Sequence, residues 1–555
     1  MDQSIRDKYV QWTTSPAFDE LTKNELEAIK EDDNEIFERF RCNLDFGTGG
    51  LRGIMGAGTN RMNRYTVGRA TLGLAQRLNR MKTGAKSVAI AFDTRLNSTF
   101  FASVSADVLS ANGIDVYLFD RPVPTPVLSF AVRYLKCDAG IVVTASHNPK
   151  QYNGYKVYDE TGCQLNLDDA NDLIGYINKI EDWAQIPTAG NAKKIHTVGA
   201  AVLKAYSGEV LKQSRISDKA AKANLKVVYS SLHGTGLLPV TDVLAEDGFT
   251  QVTVVREQAV QDGHFPTVKS PNPEERAALS MGLELARATD ADILLGTDPD
   301  SDRVGIGVKC KDGEYRLMTG NQVGAMLVDF VLANTDMKRF GKKVPTVVKT
   351  IVTGELGADA AKDHGADVVN VLTGFKFIGD RMNRYEAGKE NRAYVMGYEE
   401  SYGYLVGEHA RDKDAVVTVM LICEMAASFK AKGMTLDVYL DSLYQKHGFY
   451  LDTLDSKTYE GAAGMEKIQH LMKDLRANGV SYLSEPSTQV DYTKGIDDLP
   501  QADVLKYLFK DGSWAAVRPS GTEPKIKFYY SVKAPSREEA EVRLNRIRQA
   551  LEQNT

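Results

Sequence analysis

Ala139-Gly140-Ile141-Val142-Val143-Thr144-Ala145-Ser146-His147-Asn148-Pro149 is the stretch on which the reading of this chain turns. Its first five residues are apolar and rich in β-branched side chains, as in a buried strand. Asn148-Pro149 is turn chemistry, so the strand stops and the chain reverses just past the serine. Ser146 is thereby set at the C-terminal mouth of a strand, where open α/β sheets hold their ligands. A hydroxyl there can act as a nucleophile, and a phosphoserine there can carry phosphate. A serine in an ordinary Asn-Pro turn would look the same. The rest of the chain separates the two readings.

Outward from this stretch the same pattern recurs. Strands are expected at Ser87–Phe92, Asp115–Phe119 and Ala139–Val143, then at Lys226–Tyr229, Gln251–Val255 and Ala291–Leu295, and again at Thr346–Thr350, Ala366–Val371 and Asn391–Met396. Helical stretches such as Ser98–Asn112 and Glu274–Ala288 lie between them, the alternation of α/β units on a largely parallel sheet. The third strand of each block runs into a polar loop: Thr144–Pro149, Thr297–Arg303 and Tyr398–Gly403. Three similar domains offering the equivalent loop could surround one cleft. Ahead of them residues 1–45 read as a helical, charged and solvated packing arm. After them Ala415–Lys430 closes the third block, and Gly433–Gly448 reads as the passage to a fourth domain. That domain differs in kind, with strands Trp514–Val517 and Ile526–Val532 and a terminal helix Ser536–Gln553. The expected fold class is α/β: three similar domains with mixed, largely parallel sheets and a smaller α+β C-terminal domain around one central cleft. The expected bounds are 1–205, 206–322, 323–447 and 448–555.

At 555 residues the chain is too long for a single core. A net charge of −6 argues against nucleic acid or an anionic membrane as the main partner. The five cysteines are scattered, with no CxxC pair, as in a reduced cytoplasmic protein. The first thirty residues lack an apolar core, so no secretory leader is expected. No window approaches 18 consecutive apolar residues, so no membrane span is expected.

Four loops carry chemistry. In Asp298-Pro299-Asp300-Ser301-Asp302 three carboxylates stand at alternate positions after an apolar strand and can converge on a hard divalent cation, which suits Mg²⁺ bound with a phosphate. An EF-hand would need Gly and Glu where Arg303 and Lys309 stand. An aspartyl-phosphate transferase of the haloacid-dehalogenase kind also opens with Asp-x-Asp after a strand. Arg303 beside the cluster suits a phosphate neighbour. Gly397-Tyr398-Glu399-Glu400-Ser401-Tyr402-Gly403 offers carboxylates and a hydroxyl to a polyol. Arg518-Pro519-Ser520-Gly521-Thr522 offers a guanidinium, hydroxyls and backbone amides to a phosphate, with Lys525 and Lys527 adding charge. Asp45-Phe46-Gly47-Thr48-Gly49-Gly50-Leu51-Arg52-Gly53 lacks the preceding strand of a dinucleotide loop. It reads better as a glycine-rich turn presenting Arg52 to an anion.

The four motifs in this order (TASHNP, DPDSDR, EESYG, RPSGT) resemble the α-D-phosphohexomutase superfamily, nearest its phosphoglucomutase branch and the longer type shared with phosphopentomutases. The resemblance spans essentially the whole chain. It implies that Ser146 is the phosphorylated residue and that Ser146, Asp298, Asp300 and Asp302 ligate Mg²⁺. Glu399 and Ser401 would hold sugar hydroxyls, and Arg518, Ser520, Gly521, Thr522 and Lys527 the distal phosphate. Arg52, Lys156 and Lys413 match family positions near the reacting oxygens, while Thr373-Gly374-Phe375-Lys376 resembles the loop that helps choose the sugar. His147, Lys156 and Lys413 stay open as candidates for proton transfer. Two departures from the family pattern bear on the sugar: Tyr398 before Glu-Glu-Ser, and Pro519 after the clamp arginine.

The implied reaction interconverts glucose 1-phosphate and glucose 6-phosphate through glucose 1,6-bisphosphate, which is also the activator. Other sugars the resemblance admits are ribose, deoxyribose and mannose phosphates. A non-catalytic sugar-phosphate sensor would have lost the serine or an aspartate, and this chain keeps them. The implied partners are small-molecule sugar phosphates, with no nucleic acid, no membrane and no obligate protein partner.

Overall fold

A computed structural model describes residues 2–47, 49–81, 83–459, 461–479, 487–520 and 525–552. Four sheets follow one another along the chain. The first is built from β1 (Gly50–Ile54), β2 (Ser87–Phe92), β3 (Asp115–Phe119), β4 (Ala139–Val143), β5 (Tyr152–Asp159) and β6 (Ile195–Val198), in the order β1-β5-β4-β2-β3-β6. The second holds β7 (Lys226–Ser230), β8 (Gln251–Val254), β9 (Ile293–Thr297), β10 (Val304–Lys309) and β11 (Tyr315–Met318), in the order β11-β10-β9-β7-β8. The third holds β12 (Val344–Thr350), β13 (Asp367–Val371), β14 (Arg392–Glu399) and β15 (Gly403–Val406), in the order β13-β12-β14-β15.

The fourth sheet differs. Its strands β16 (Phe449–Thr458), β17 (Ser487–Asp491), β18 (Leu505–Phe509), β19 (Trp514–Pro519) and β20 (Lys525–Ala534) pair antiparallel throughout, in the order β16-β20-β19-β18-β17. Three mixed, mostly parallel sheets and one antiparallel sheet therefore make up the chain, as the strand pattern predicts.

One reversal recurs in the first three sheets. A strand parallel to its inner neighbour (β4, β9, β14) ends in a loop and returns antiparallel (β5, β10, β15). Each loop carries a residue in the left-handed region: Ser146 at φ 53°, Ser301 at φ 51° and Tyr402 at φ 63°. Left-handed backbone costs a non-glycine residue free energy and persists only where its surroundings hold it. Close backbone approach does part of the holding. A Cβ on Gly154 of β5 would stand 2.4 Å from the Thr144 carbonyl, and one on Gly234 2.4 Å from Pro299 Cα.

The apolar core explains how the units are joined. A single buried cluster runs from Ala89 through the first three units and reaches Tyr450 on β16, whereas most of the fourth unit is built on its own core of residues such as Leu475, Tyr507, Phe528 and Ile547. A small apolar patch, including Ile351, Leu372, Trp514 and Tyr529, joins the fourth unit to the third. Burying one Leu or Val contributes about 1.5–3 kcal/mol, so the shared cluster binds three units far more firmly than the patch binds the fourth.

Several boundaries depart from the sequence reading. Residues 1–45 do form helices (Gln3–Thr14, Glu20–Glu27, Asp33–Phe40), but they enclose a core of their own, in which Trp12 stacks on Phe18 at 4.3 Å. The expected helix Glu274–Ala288 begins only at Ser280, because Glu274 turns to the Asn272 side chain and to Arg303. The Gly433–Gly448 passage contains the helix Leu436–His447. Arg52 lies on the edge strand β1, and Glu399 ends β14; neither sits in a loop. Among the described residues no helix is long and apolar enough to cross a membrane.

Candidate active site

The three reversal loops and the fourth sheet line one cavity of about 820 Å³. Its lining includes Arg52, Ser146, His147, Lys156, Asp302, Arg303, Thr373, Gly374, Lys376, Glu399, Ser401, Lys413, Arg518 and Lys527. Asp298 and Asp300 lie fully buried beneath it. Ser520 follows Arg518 at the end of β19, its N–H donating to the Lys525 carbonyl at 2.7 Å. Gly521 and Thr522 lie outside the described residues.

Ser146 is only 3% exposed, yet its hydroxyl is aimed. Oγ donates to Asp298 Oδ2 at 2.8 Å and lies 3.1 Å from His147 Nδ1. Its N–H donates to Thr144 Oγ1 at 2.8 Å, and Thr144 donates to Asp93 at 2.7 Å. Burial, then the positive charges of Arg303 and Arg52, push the His147 imidazolium down to about 2. His147 is therefore neutral at working pH, with a lone pair free to accept.

Ligand atoms of Asp298, Asp300 and Asp302 lie within 4.8 Å of one another. Asp298 Oδ1 accepts from the backbone N–H groups of Asp302 and Arg303 at 3.1 and 3.0 Å. Burial and the two neighbouring carboxylates push Asp298 well above the usual carboxylate range. Burial would raise Asp300 too, but Lys156, a hydrogen bond from Asp298 and Lys413 hold it below that range. Burial and Asp300 raise Asp302 against the pull of Lys413, whose Nζ stands 3.0 Å away. Oδ1 of Asp300 and of Asp302 are buried without a hydrogen-bond partner. Converging oxygens, crowded negative charge and two open acceptors fit a hard divalent cation.

Two cations come from separate units. Lys156 reaches Asp300 from β5 at 3.3 Å, and Lys413 arrives from the segment after β15. Asp412 holds Lys413 at 3.2 Å and is itself held by Tyr158 at 2.6 Å. Thr125 fastens the Asp300 loop to the first unit, its N–H on the Asp300 carbonyl at 2.8 Å and its hydroxyl on Oδ2 at 2.9 Å.

Opposite chemistry lines the rest of the cavity. Glu399 accepts from the Gly374 N–H at 2.8 Å, and burial raises its carboxyl to about 7 despite Lys413. Burial lowers the Lys376 ammonium to about 8. On the fourth sheet Arg518 and Lys527 stand opposite each other on β19 and β20. Burial, then Arg518 and Lys525, lower the Lys527 ammonium. Cations gathered against their own repulsion make an anion site. Tyr398, by contrast, is 1% exposed and packs against Gly324 and Gly357. Strand alternation turns Glu399 to the cavity and Tyr398 to the core, so Tyr398 is not among the residues lining the cavity.

Each reversal loop is buttressed by the loop of the adjacent parallel strand, which the sequence reading passed over. Arg95, after β2, donates to the carbonyls of Ser146, Asn148, Pro149 and Tyr152 and pairs with Asp93 at 3.2 Å. Thr235, after β7, donates its N–H and hydroxyl to the Pro299 carbonyl at 2.8 and 2.9 Å. Thr350 and Thr353, around the end of β12, each hold Glu400 at 3.1 Å. Their positions past strand ends, like that of Ser146, were the available signal.

Known proteins are similar to this chain in sequence and in fold. Four consecutive segments match the family described as phosphoglucomutase/phosphomannomutase: alpha/beta/alpha domain I at residues 43–183, domain II at 204–313, domain III at 319–447 and the C-terminal domain at 458–549. A phosphoglucomutase of Staphylococcus aureus is 38% identical over 545 residues, 95% of this chain and 96% of that one. One from Staphylococcus epidermidis is 39% identical over 513 residues, 89% and 92% of the two chains. Among solved structures, a phosphoglucomutase/phosphomannomutase family protein of Burkholderia thailandensis superposes with a TM-score of 0.69 at 20% identity, covering 92% of this chain and 97% of that one. The open form of parafusin, a phosphoglucomutase of Paramecium, superposes at 0.70 and 18% identity, covering 92% and 95%.

Proposed function

The chain belongs to the phosphoglucomutase/phosphomannomutase family, and from that premise we propose that it interconverts glucose 1-phosphate and glucose 6-phosphate through a phosphoserine at position 146. The observation that carries this is one cavity, about 820 Å³, where a strand-end serine, three aspartates, a loop of carboxylates and a hydroxyl, and a cationic wall meet.

In the first step the free hydroxyl of a bound sugar phosphate attacks the phosphorus of phospho-Ser146. The O–P bond to Ser146 breaks, a sugar bisphosphate forms, and the hydroxyl proton passes through a nearby base to the departing Ser146 oxygen, which is left as a free hydroxyl. Neutral His147, 3.1 Å from Ser146 Oγ, is placed to hydrogen-bond the serine oxygen as charge develops there. Lys156 and Lys413 stabilise charge on the transferring oxygens. Asp298, Asp300 and Asp302, with a phosphoserine oxygen, would hold Mg²⁺, which when bound neutralises the transferring phosphoryl group.

Arg518 and Lys527 grip the phosphate that is not reacting, a role the family resemblance extends to Ser520, Gly521 and Thr522. Arg52 and Arg303 add positive charge at the reacting end. Glu399 and Ser401 hold ring hydroxyls, with Thr373, Gly374 and Lys376 as the loop that chooses the sugar. The bisphosphate then turns end over end, and Ser146 takes back the other phosphate. Glucose 1,6-bisphosphate thus primes the enzyme as well as lying on its path.

A coupled assay with glucose, mannose and ribose 1-phosphates, each with and without the matching bisphosphate, tests the reading. Glucose 1-phosphate is expected to give the highest kcat/KM, with a bisphosphate requirement. A comparable or higher value for ribose 1-phosphate would move the chain to phosphopentomutase chemistry.

A further inference from the structure

The turn that ends β5 reaches across to the third unit. Asp159 ties it together: Oδ1 accepts from the Thr161 N–H at 2.8 Å, the Thr161 hydroxyl at 2.5 Å and the Cys163 N–H at 3.3 Å. Gly162 holds φ 77°, and a Cβ there would stand 2.3 Å from the Ser129 carbonyl. Ser129 donates to the Gly162 carbonyl at 2.5 Å and accepts from the Arg411 N–H at 2.7 Å. The turn is thus braced on all sides, and it continues the strand pair, β4 and β5, that frames Ser146.

Across from it stands the helix Phe375–Glu386, whose first turn brings Phe375 and Lys376 to the cleft. Cys163 is 4% exposed, and its Sγ–H donates to the Lys376 carbonyl at 3.4 Å. A Cβ on Gly379 would stand 2.6 Å from that sulfur, so a glycine, unfavourable in a helix interior, lets the turn approach. Two turns further on, Asn383 donates to Thr161 Oγ1 and accepts from Arg411 Nε, both at 2.8 Å. Arg133 closes the far end, on the Thr161 carbonyl at 3.1 Å and the Glu386 carboxylate at 2.8 Å. Anchors about 11 Å apart along the axis fix a helix in direction as well as in place. The loop just ahead of the helix, whose Gly374 N–H serves Glu399, is held with it.

We propose, on the sugar-phosphate reading of the cleft, that Thr161 and Cys163 are positioning residues. They set how far the loop Thr373–Lys376 stands from Ser146, and thereby the preference for a six-carbon over a five-carbon sugar phosphate. The two substrates differ by one carbon, about 1.5 Å of reach. A loop carried on a helix pinned at two points can discriminate that distance, and a loop on a loosened helix discriminates it less.

Calorimetric titration of the intact chain with glucose 6-phosphate and with ribose 5-phosphate tests this, beside turnover of the two sugars. Thr161→Val and Cys163→Ala are made singly and read separately, so that one which does not fold leaves the other to decide. In each the glucose-to-ribose affinity ratio is expected to fall about tenfold, the lower end of what one carbon is worth in a binding site. Thr161→Ser and Cys163→Ser, which keep the hydrogen-bonding groups, are expected to hold the wild-type ratio. An unchanged ratio in Thr161→Val and Cys163→Ala, with both sugars weakened alike, would overturn the positioning role. Absence of turnover in wild type would overturn the mutase reading instead, and the affinity ratio would still decide the role of the turn.

Discussion

Arg95 donates through its guanidinium to the backbone carbonyl of Ser146, so the candidate nucleophile is held from behind by a residue that does not line the cleft. The same guanidinium takes the Asn148 carbonyl at 2.5 Å, Pro149 at 3.1 Å and Tyr152 at 3.2 Å. The left-handed backbone at Ser146 is thus fixed by contacts beneath it, and its Oγ is left to point at Asp298.

Arg95→Lys is expected to lower kcat about 100-fold, because a misplacement of about 1 Å costs that much, while KM for the sugar phosphate stays near wild type. Added guanidinium should partly restore turnover in Arg95→Ala. Equal losses in kcat and in substrate affinity, without rescue, would assign Arg95 to folding alone.

Ser146→Ala is expected to lose about 10³-fold or more in turnover and to carry no acid-stable phosphate after treatment with glucose 1,6-bisphosphate. Phosphopeptide mapping reads this directly. Phosphate on an aspartate that hydrolyses readily would favour an acyl-phosphate route instead.

Asp298→Asn keeps an oxygen for the two backbone N–H groups but removes one of three crowded carboxyl groups. Its metal-free thermal stability should equal or exceed that of wild type. Added Mg²⁺ should stabilise wild type by about 2.7 kcal/mol at 100 times Kd and leave the variant unmoved. A variant stabilised as much as wild type would remove Asp298 from the ligand set.

Lys506 gives a pH signature to the joint between the third and fourth units. Its Nζ donates to the Ile351 carbonyl at 2.6 Å, lies 4.0 Å over the Trp514 ring and stands 3.9 Å from Glu355, which also serves Lys349 at 3.1 Å. Burial, then Lys349, push its ammonium down to about 7, below the ordinary lysine value of roughly 10.4. Between those values the unfolded unit binds the extra proton, so stability rises with pH from about 7 upward, by at most ~1.4 kcal/mol per unit. The denaturation midpoint of the fourth unit should climb between pH 7 and 9 in wild type and climb less in Lys506→Met. Equal slopes would exclude Lys506 as the titrating group.

The inner parallel strands and the loops past their ends were legible because burial on both faces leaves near-continuous apolar runs, as at Ala139–Val143. The returning antiparallel strands were not. Tyr152–Asp159 mixes a lysine, an asparagine and tyrosines, and only its pairing with β4 and β1 makes it a strand. Cleft residues such as Ser146, Asp298 and Arg518 could be named because their chemistry sits in compact motifs. Arg95, Thr125 and Lys506 could not, since each acts on backbone or side chains more than fifty residues away. Sequence spacing carries no trace of such contacts. The helix start at Ser280 was misplaced for a related reason: Glu274 pairs with Arg303 across 29 positions, and that pairing overrides local helix propensity.

The apolar cluster that runs from Ala89 to Tyr450 also sets a schedule for synthesis. At about 5–20 residues per second, Tyr450 is added roughly 20–70 s after Ala89. Throughout that interval the finished first unit presents to solvent an oily face whose covering has not yet been made. Ribosomes translating one message in close file would bring several such faces together, so this chain calls for chaperone cover until its third unit has emerged.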